Sequence, residues 1–113
     1  MDNDEIKLVR MKKALCALLD DIKTKTFPVD KVILFGSVAR DDIHEHSDVD
    51  ICIVSDDELT PRQKRVEIES YFHDMAKTDF TPEFLYCNNY QVRNGKEIFE
   101  SIRKDGRVLY QRV

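Results

Sequence analysis

The sequence predicts an α+β fold, a small mixed β-sheet with helices packed mainly on one face. Three observations point there. Near the N-terminus, apolar residues recur at three- and four-residue steps over a long segment. Further on, short apolar runs such as Val32-Ile33-Leu34-Phe35 are bounded by Gly, Pro or polar clusters. Finally, helical and extended segments alternate in the order α-β-turn-β-α-β-α-β, a pattern of mixed layers around one core.

The elements follow in order. A helix is expected over 4–23, with Asn3 as N-cap and acids in the first turn. Leu8, Leu15, Leu19 and Ile22, with Met11 and Leu18 beside them, form its apolar stripe. Residues 24–30, with Pro28, read as a connector. Residues 32–35 read as a strand apolar on both faces and so interior to a sheet, which Gly36 ends sharply. A polar loop is expected over 41–47 and a second strand over 49–54. Thr60-Pro61 starts a helix, Thr as N-cap and Pro in the first helical position, running to residue 77 with Ile68, Phe72, Met75 and Ala76 inward. Residues 82–86 make a third strand, since Pro is tolerated at a strand's first residue. Asn94-Gly95 breaks the chain before a helix over 96–104 that Gly106 stops, and 108–110 add a last strand. No repeat or linker divides residues 1–113, which read as one domain.

Composition removes several function classes. The 113 residues are 42% hydrophobic and 35% charged, with a mean hydropathy of -0.48. Three Pro and three Gly exclude a fibrous or disordered chain. With 18 Lys and Arg against 22 Asp and Glu, the net charge is -4, which argues against general nucleic-acid or anionic-membrane binding. No apolar stretch is long enough to span a bilayer. The opening Met-Asp-Asn-Asp-Glu is acidic where a secretory signal is basic and then apolar. Cys16, Cys52 and Cys87 have no metal-like spacing and sit in apolar-looking segments, so they read as reduced, buried thiols of a cytoplasmic protein.

Chemistry concentrates in one stretch, Leu34-Phe35-Gly36-Ser37-Val38-Ala39-Arg40, followed after a loop by Ser47-Asp48-Val49-Asp50-Ile51. A glycine at a strand end lets backbone approach a ligand closely. A helical turn starting near Val38 would turn free N–H groups and the Ser37 hydroxyl outward, a setting that favours phosphate. On a strand, Asp48 and Asp50 share a face about 6.6 Å apart, at roughly 3.3 Å per residue. Two such acids repel unless a cation lies between them, and Mg²⁺ suits carboxylates combined with phosphate oxygens. Glu83, at the mouth of the third strand, is the preferred third acid, as metal ligand or base, with Asp79 as competitor. Arg40 reads either as a phosphate contact or as a salt-bridge partner of Asp41, Asp42 or Asp48. His44 and His46 read as solvated loop residues, and His73 as a surface residue.

Gly36-Ser37, ten intervening residues that include Arg40, the pair Asp48-Val49-Asp50, and strands on both sides resemble the signature of the nucleotidyltransferase superfamily that includes DNA polymerase beta. More narrowly, the chain resembles the minimal nucleotidyltransferases, antitoxin-type proteins paired with HEPN toxins. The resemblance implies the palm-like fold of that superfamily, with Gly36, Ser37 and Arg40 binding the nucleotide. Asp48, Asp50 and Glu83 would be catalytic and would hold Mg²⁺, two ions in all. It implies ATP as substrate and transfer of a nucleotidyl group to a hydroxyl on a HEPN-type partner, with pyrophosphate released.

The rival reading is a non-catalytic antitoxin that neutralises its partner by contact and keeps a weakened nucleotide site. Asp41 and Asp42 favour it, since they follow Arg40 where many members carry glycine. A third reading, transfer to a small molecule, requires an acceptor pocket built by a homo-oligomer.

Overall fold

The computed structural model describes residues 3–24, 29–40, 48–57, 60–63, 66, 69 and 81–112. Helix α1, Asn3–Thr24, matches the expected span to within one residue at each end. Its buried stripe is Met11, Ala14, Leu15, Leu18 and Ile22, with Leu8 and Leu19 half-buried beside it. Strand β1, Lys31–Phe35, is followed at once by a four-residue helical turn, α2, Gly36–Ala39. Strand β2 is Asp48–Val54 and β3 is Thr81–Cys87. Two short helices follow, α3 at Asn89–Asn94 and α4 at Ile98–Asp105, and β4, Arg107–Gln111, closes the fold.

The strands form one mixed sheet in the order β3-β2-β1-β4. Strand β1 pairs antiparallel with both β2 and β4, whereas β2 and β3 run parallel. Because β1 and β2 are interior, both their faces must be covered, and their side chains divide accordingly. Val32, Leu34, Val49, Ile51 and Ile53 meet α1 on one side; Ile33, Phe35, Cys52, Val54 and Cys87 meet Ile102 of α4 on the other, with Val92 of α3 and Phe99 alongside.

The α+β class and the mixed sheet hold, and among the described residues helices cover both faces. Helix α1 covers one face and the α3–α4 pair the other. The expected reading had no helix at 89–94, so the second face lacked a cover. The signal was present: Asn88 caps α3 by accepting from Gln91 N (2.8 Å), while Asn88 N donates to Gln91 Oε1 (3.0 Å). That is a capping box four residues long.

Smaller differences have simple causes. The helical turn starts at Gly36, two residues before the expected position. Strand β3 starts at Thr81, so Pro82 is its second residue; the strand has one neighbour among the described residues, which leaves Pro's missing N–H tolerable. Cys16 is exposed because it falls on the outer side of α1, whereas Cys52 and Cys87 are buried, free thiols with Sγ atoms 2.9 Å apart. Thr60 and Gln63 cap each other reciprocally ahead of helical residues 61–63, as the Thr-Pro start predicted. The inward positions Ile68, Phe72, Met75 and Ala76, and His73, lie outside the described residues. Among the described residues, no helix is long and apolar enough to cross a membrane.

Candidate functional site

The C-terminal end of β1 and the N-terminal ends of β2 and β3 lie at one end of the sheet. Gly36 turns the chain there with φ +76°, a left-handed conformation that side chains disfavour. The residue is glycine for a second reason. A Cβ at this position would overlap the Asp50 Oδ2 atom and stand 3.0 Å from Asp50 Cγ. Backbone therefore lies against a carboxylate with nothing between. The turn is closed by Arg40 N, which donates to Ser37 O (3.1 Å) and Gly36 O (3.3 Å). Phe35 occupies the N-cap position without a side-chain cap, and Ser37 sits half-buried inside the turn.

Strand β2 delivers the two aspartates. Asp48 is exposed, Asp50 is half-buried, and the strand beyond them is fully enclosed. Asp50 pairs with Phe35 across the antiparallel ladder and with Glu83 across the parallel one. Partners in register share a face, so the Glu83 side chain meets that of Asp50, and the two are hydrogen-bonded. The Asp50 carboxyl is raised from 3.8 to about 6. Burial is the largest cause, followed by the hydrogen bond to Glu83, then the charges of Glu83 and Asp48; Arg40 acts in the opposite direction. Burial and its acidic neighbours thus make the Asp50 charge costly in the absence of a cation.

Arg40 is exposed and forms an ion pair with Asp105 at the end of α4, NH1 to Oδ2 at 3.7 Å. Its expected partners were different: Asp48 is not the acid it meets, and Asp41 and Asp42 lie outside the described residues. Asp105 had no signature in the sequence reading, although an acid in the last turn of a helix runs against the helix dipole and stands out on that ground. The structure therefore brings Gly36, Arg40, Asp50 and Glu83 together, with Asp48 within electrostatic reach. Asp79, His44 and His46 lie outside the described residues.

Asp48, Asp50 and Glu83 offer oxygen donors only, and their mutual repulsion is the kind a hard divalent cation relieves. Among the described residues, no three His, Cys, Asp or Glu side chains are gathered tightly enough to enclose an ion. The donor chemistry fits Mg²⁺.

The sequence matches the family described as "Polymerase beta, Nucleotidyltransferase" over residues 17–113. The chain belongs to that family. Nucleotidyl transfer is therefore its reaction class. The fold of this nucleotidyltransferase is similar to that of a Sulfolobus solfataricus protein assigned as a nucleotidyltransferase, with a TM-score of 0.67 and 18% identity over 99% of this chain and 90% of that one. It is similar to a chain of a toxin–antitoxin structure with AMP-PNP, with a TM-score of 0.59, 19% identity, and coverage of 88% and 72%. A third likeness is to a complex of tri-AMPylated Shewanella oneidensis HEPN toxin with MNT antitoxin, with a TM-score of 0.54, 17% identity, and coverage of 94% and 73%. At such identities the likeness is one of fold. No curated protein matches the sequence significantly.

Proposed function

We propose that residues 1–113 act as one minimal nucleotidyltransferase domain, an adenylyltransferase of the cytoplasm that moves AMP from ATP to a hydroxyl of a HEPN-type partner protein. The observation that carries this reading is the pairing of Asp50 with Glu83 directly against Gly36. Carboxylates and a side-chain-free backbone turn meet at one point, which is where a cation and a polyphosphate would have to meet. In this reading Asp48, Asp50 and Glu83 hold Mg²⁺, two ions at full occupancy. When bound, the ions neutralise charge on the phosphates and on the attacking and leaving oxygens.

The chain's own residues do the remainder. Gly36 and the α2 amides let phosphate oxygens approach backbone, and Ser37 and Arg40 supply further donors. The acceptor oxygen bonds to the α-phosphorus, the α–β phosphoanhydride bond breaks, and pyrophosphate leaves. The acceptor's proton passes to Glu83, the exposed member of the acid pair. The AMP-PNP and AMPylated-toxin structures that share this fold support the choice of nucleotide and acceptor.

The test uses α-³²P-labelled ATP, Mg²⁺ and a HEPN-type protein encoded beside this one. Label is expected on the partner. Asp48→Asn and Asp50→Asn are expected to reduce transfer by about 10²–10³-fold, the scale on which one preorganised charge-stabilising group counts. Neutralisation of the partner without label transfer would instead establish the contact-only antitoxin.

A further inference from the structure

Arg40 stands between two groups of acids. On one side are Asp50 and its neighbours Asp48 and Glu83, whose field Arg40 already moderates. On the other is Asp105, with NH1 of Arg40 3.7 Å from its Oδ2. A guanidinium is the natural partner of a carboxylate pair and can bridge two such oxygens at once. Nothing in the charge balance of the β2–β3 acids would keep Arg40 from settling on them, where it would take the place of a metal ion.

Asp105 is oddly placed for any purely local role. It ends α4 behind Arg103 and Lys104, which suit a helix C-terminus, whereas a carboxylate there opposes the dipole. Its position is nonetheless fixed. Gly106 N donates to Ile102 O (2.8 Å), and a Cβ at Gly106 would strike both Ile102 O and the Ile33 side chain, so the end of α4 lies flat on β1. Arg40 is fixed as well, its N–H closing α2, which touches α4. The Asp105 side chain is only 25% exposed. A residue that breaks a local rule while being held rigidly is a place to look for function.

We infer that Asp105 is a positioning residue, which holds Arg40 away from the Asp48, Asp50 and Glu83 carboxylates and so keeps them open for a divalent cation. The inference rests on the metal-binding reading of those acids. One nitrogen of Arg40 is engaged by Asp105, and the others stay available to a phosphate. Removing Asp105 frees the guanidinium to fall onto the acids and compete with the ion.

Binding of Mn²⁺ to the nucleotide-free full chain, followed by electron paramagnetic resonance at pH 7.5, separates the possibilities. Asp105→Asn is expected to weaken Mn²⁺ binding by about fivefold, the upper scale of a partly exposed ion pair. Asp105→Glu is expected to retain wild-type affinity. The deciding measurement is the same substitution in an Arg40→Gln background, where the penalty of Asp105→Asn should vanish, because the competitor has gone. Unchanged affinity in Asp105→Asn overturns the inference. So does a penalty that persists without Arg40, which would mean that Asp105 acts through its own charge or through the fold. Failure of the wild-type protein to bind Mn²⁺ overturns the reading of the acids themselves, and the inference with it.

Discussion

Asp50 carries opposing demands in a single side chain. Its carboxyl is raised to about 6 by burial first and then by Glu83 and Asp48, so the folded protein binds that proton more tightly than the unfolded chain does. By linkage, the stability it contributes is fully present below the unfolded value of 3.8 and is lost as pH rises through about 6. Above that pH, in the absence of metal, the fold carries an unfavourable charge. Asp50→Asn keeps the shape and removes the charge. The variant is therefore expected to melt at a higher temperature than the wild type at pH 7.5 in EDTA, with the gap closing toward pH 4, while losing nucleotidyl transfer. Mg²⁺ should raise the melting temperature of the wild type and leave that of the variant unmoved. Thermal melts across pH check all of this, and a variant less stable than the wild type at pH 7.5 would contradict the assigned electrostatics. At this scale the sequence was informative where chemistry is local. Asp48 and Asp50 declare themselves by strand periodicity, and Gly36 by ending an apolar run. The juxtaposition of Arg40 with Asp105 left no such trace, because it depends on how α4 is laid across β1.

Among the elements, the strands were legible for a physical reason. A strand buried on both faces is written as an unbroken apolar run, as in β1 and in the tail of β2. Helix α3 was not legible, because its six residues turn only Val92 toward the core and so make no stripe. What defines α3 instead is its ends. Asn88 and Gln91 cap its start, and Arg103 of α4 donates to Val92 O and Gly95 O, each at 2.7 Å, at its finish. Asn88→Ala removes one capping bond while Arg103 still holds the other end. It is expected to cost about 1 kcal/mol, the usual value for losing a polar N-cap. Hydrogen exchange should speed up at the first α3 amides and not at those of β2. Uniform acceleration across the sheet would show that α3 is not a separately anchored unit.

For the whole molecule, what sequence order conceals is that the last strand returns to lie beside the first, giving β3-β2-β1-β4. Asp30 makes that return rigid at the end of the sheet remote from the acids. Its carboxylate meets Arg112 NH2 at 2.6 Å and accepts from Asn89 Nδ2 at 2.9 Å, while Arg112 N donates to its carbonyl at 2.8 Å. The acids at the other end rest on β2, whose alternate residues Ile51 and Ile53 are sealed against the α1 stripe. Leu18 is the most enclosed residue of the α1 stripe, with no exposure at all. Leu18→Ala removes buried methyl groups where α1 and the sheet meet, and is expected to cost about 2–5 kcal/mol. Against the roughly 5–15 kcal/mol that holds a domain together, that is a large fraction. If α1 and the sheet form one cooperative unit, the variant should still melt in a single transition, with helix signal and binding of a fluorescent ATP analogue lost at the same, lower temperature. Loss of nucleotide binding well after α1 has melted would show instead that the sheet holds its acid pair in place without the helix beneath it.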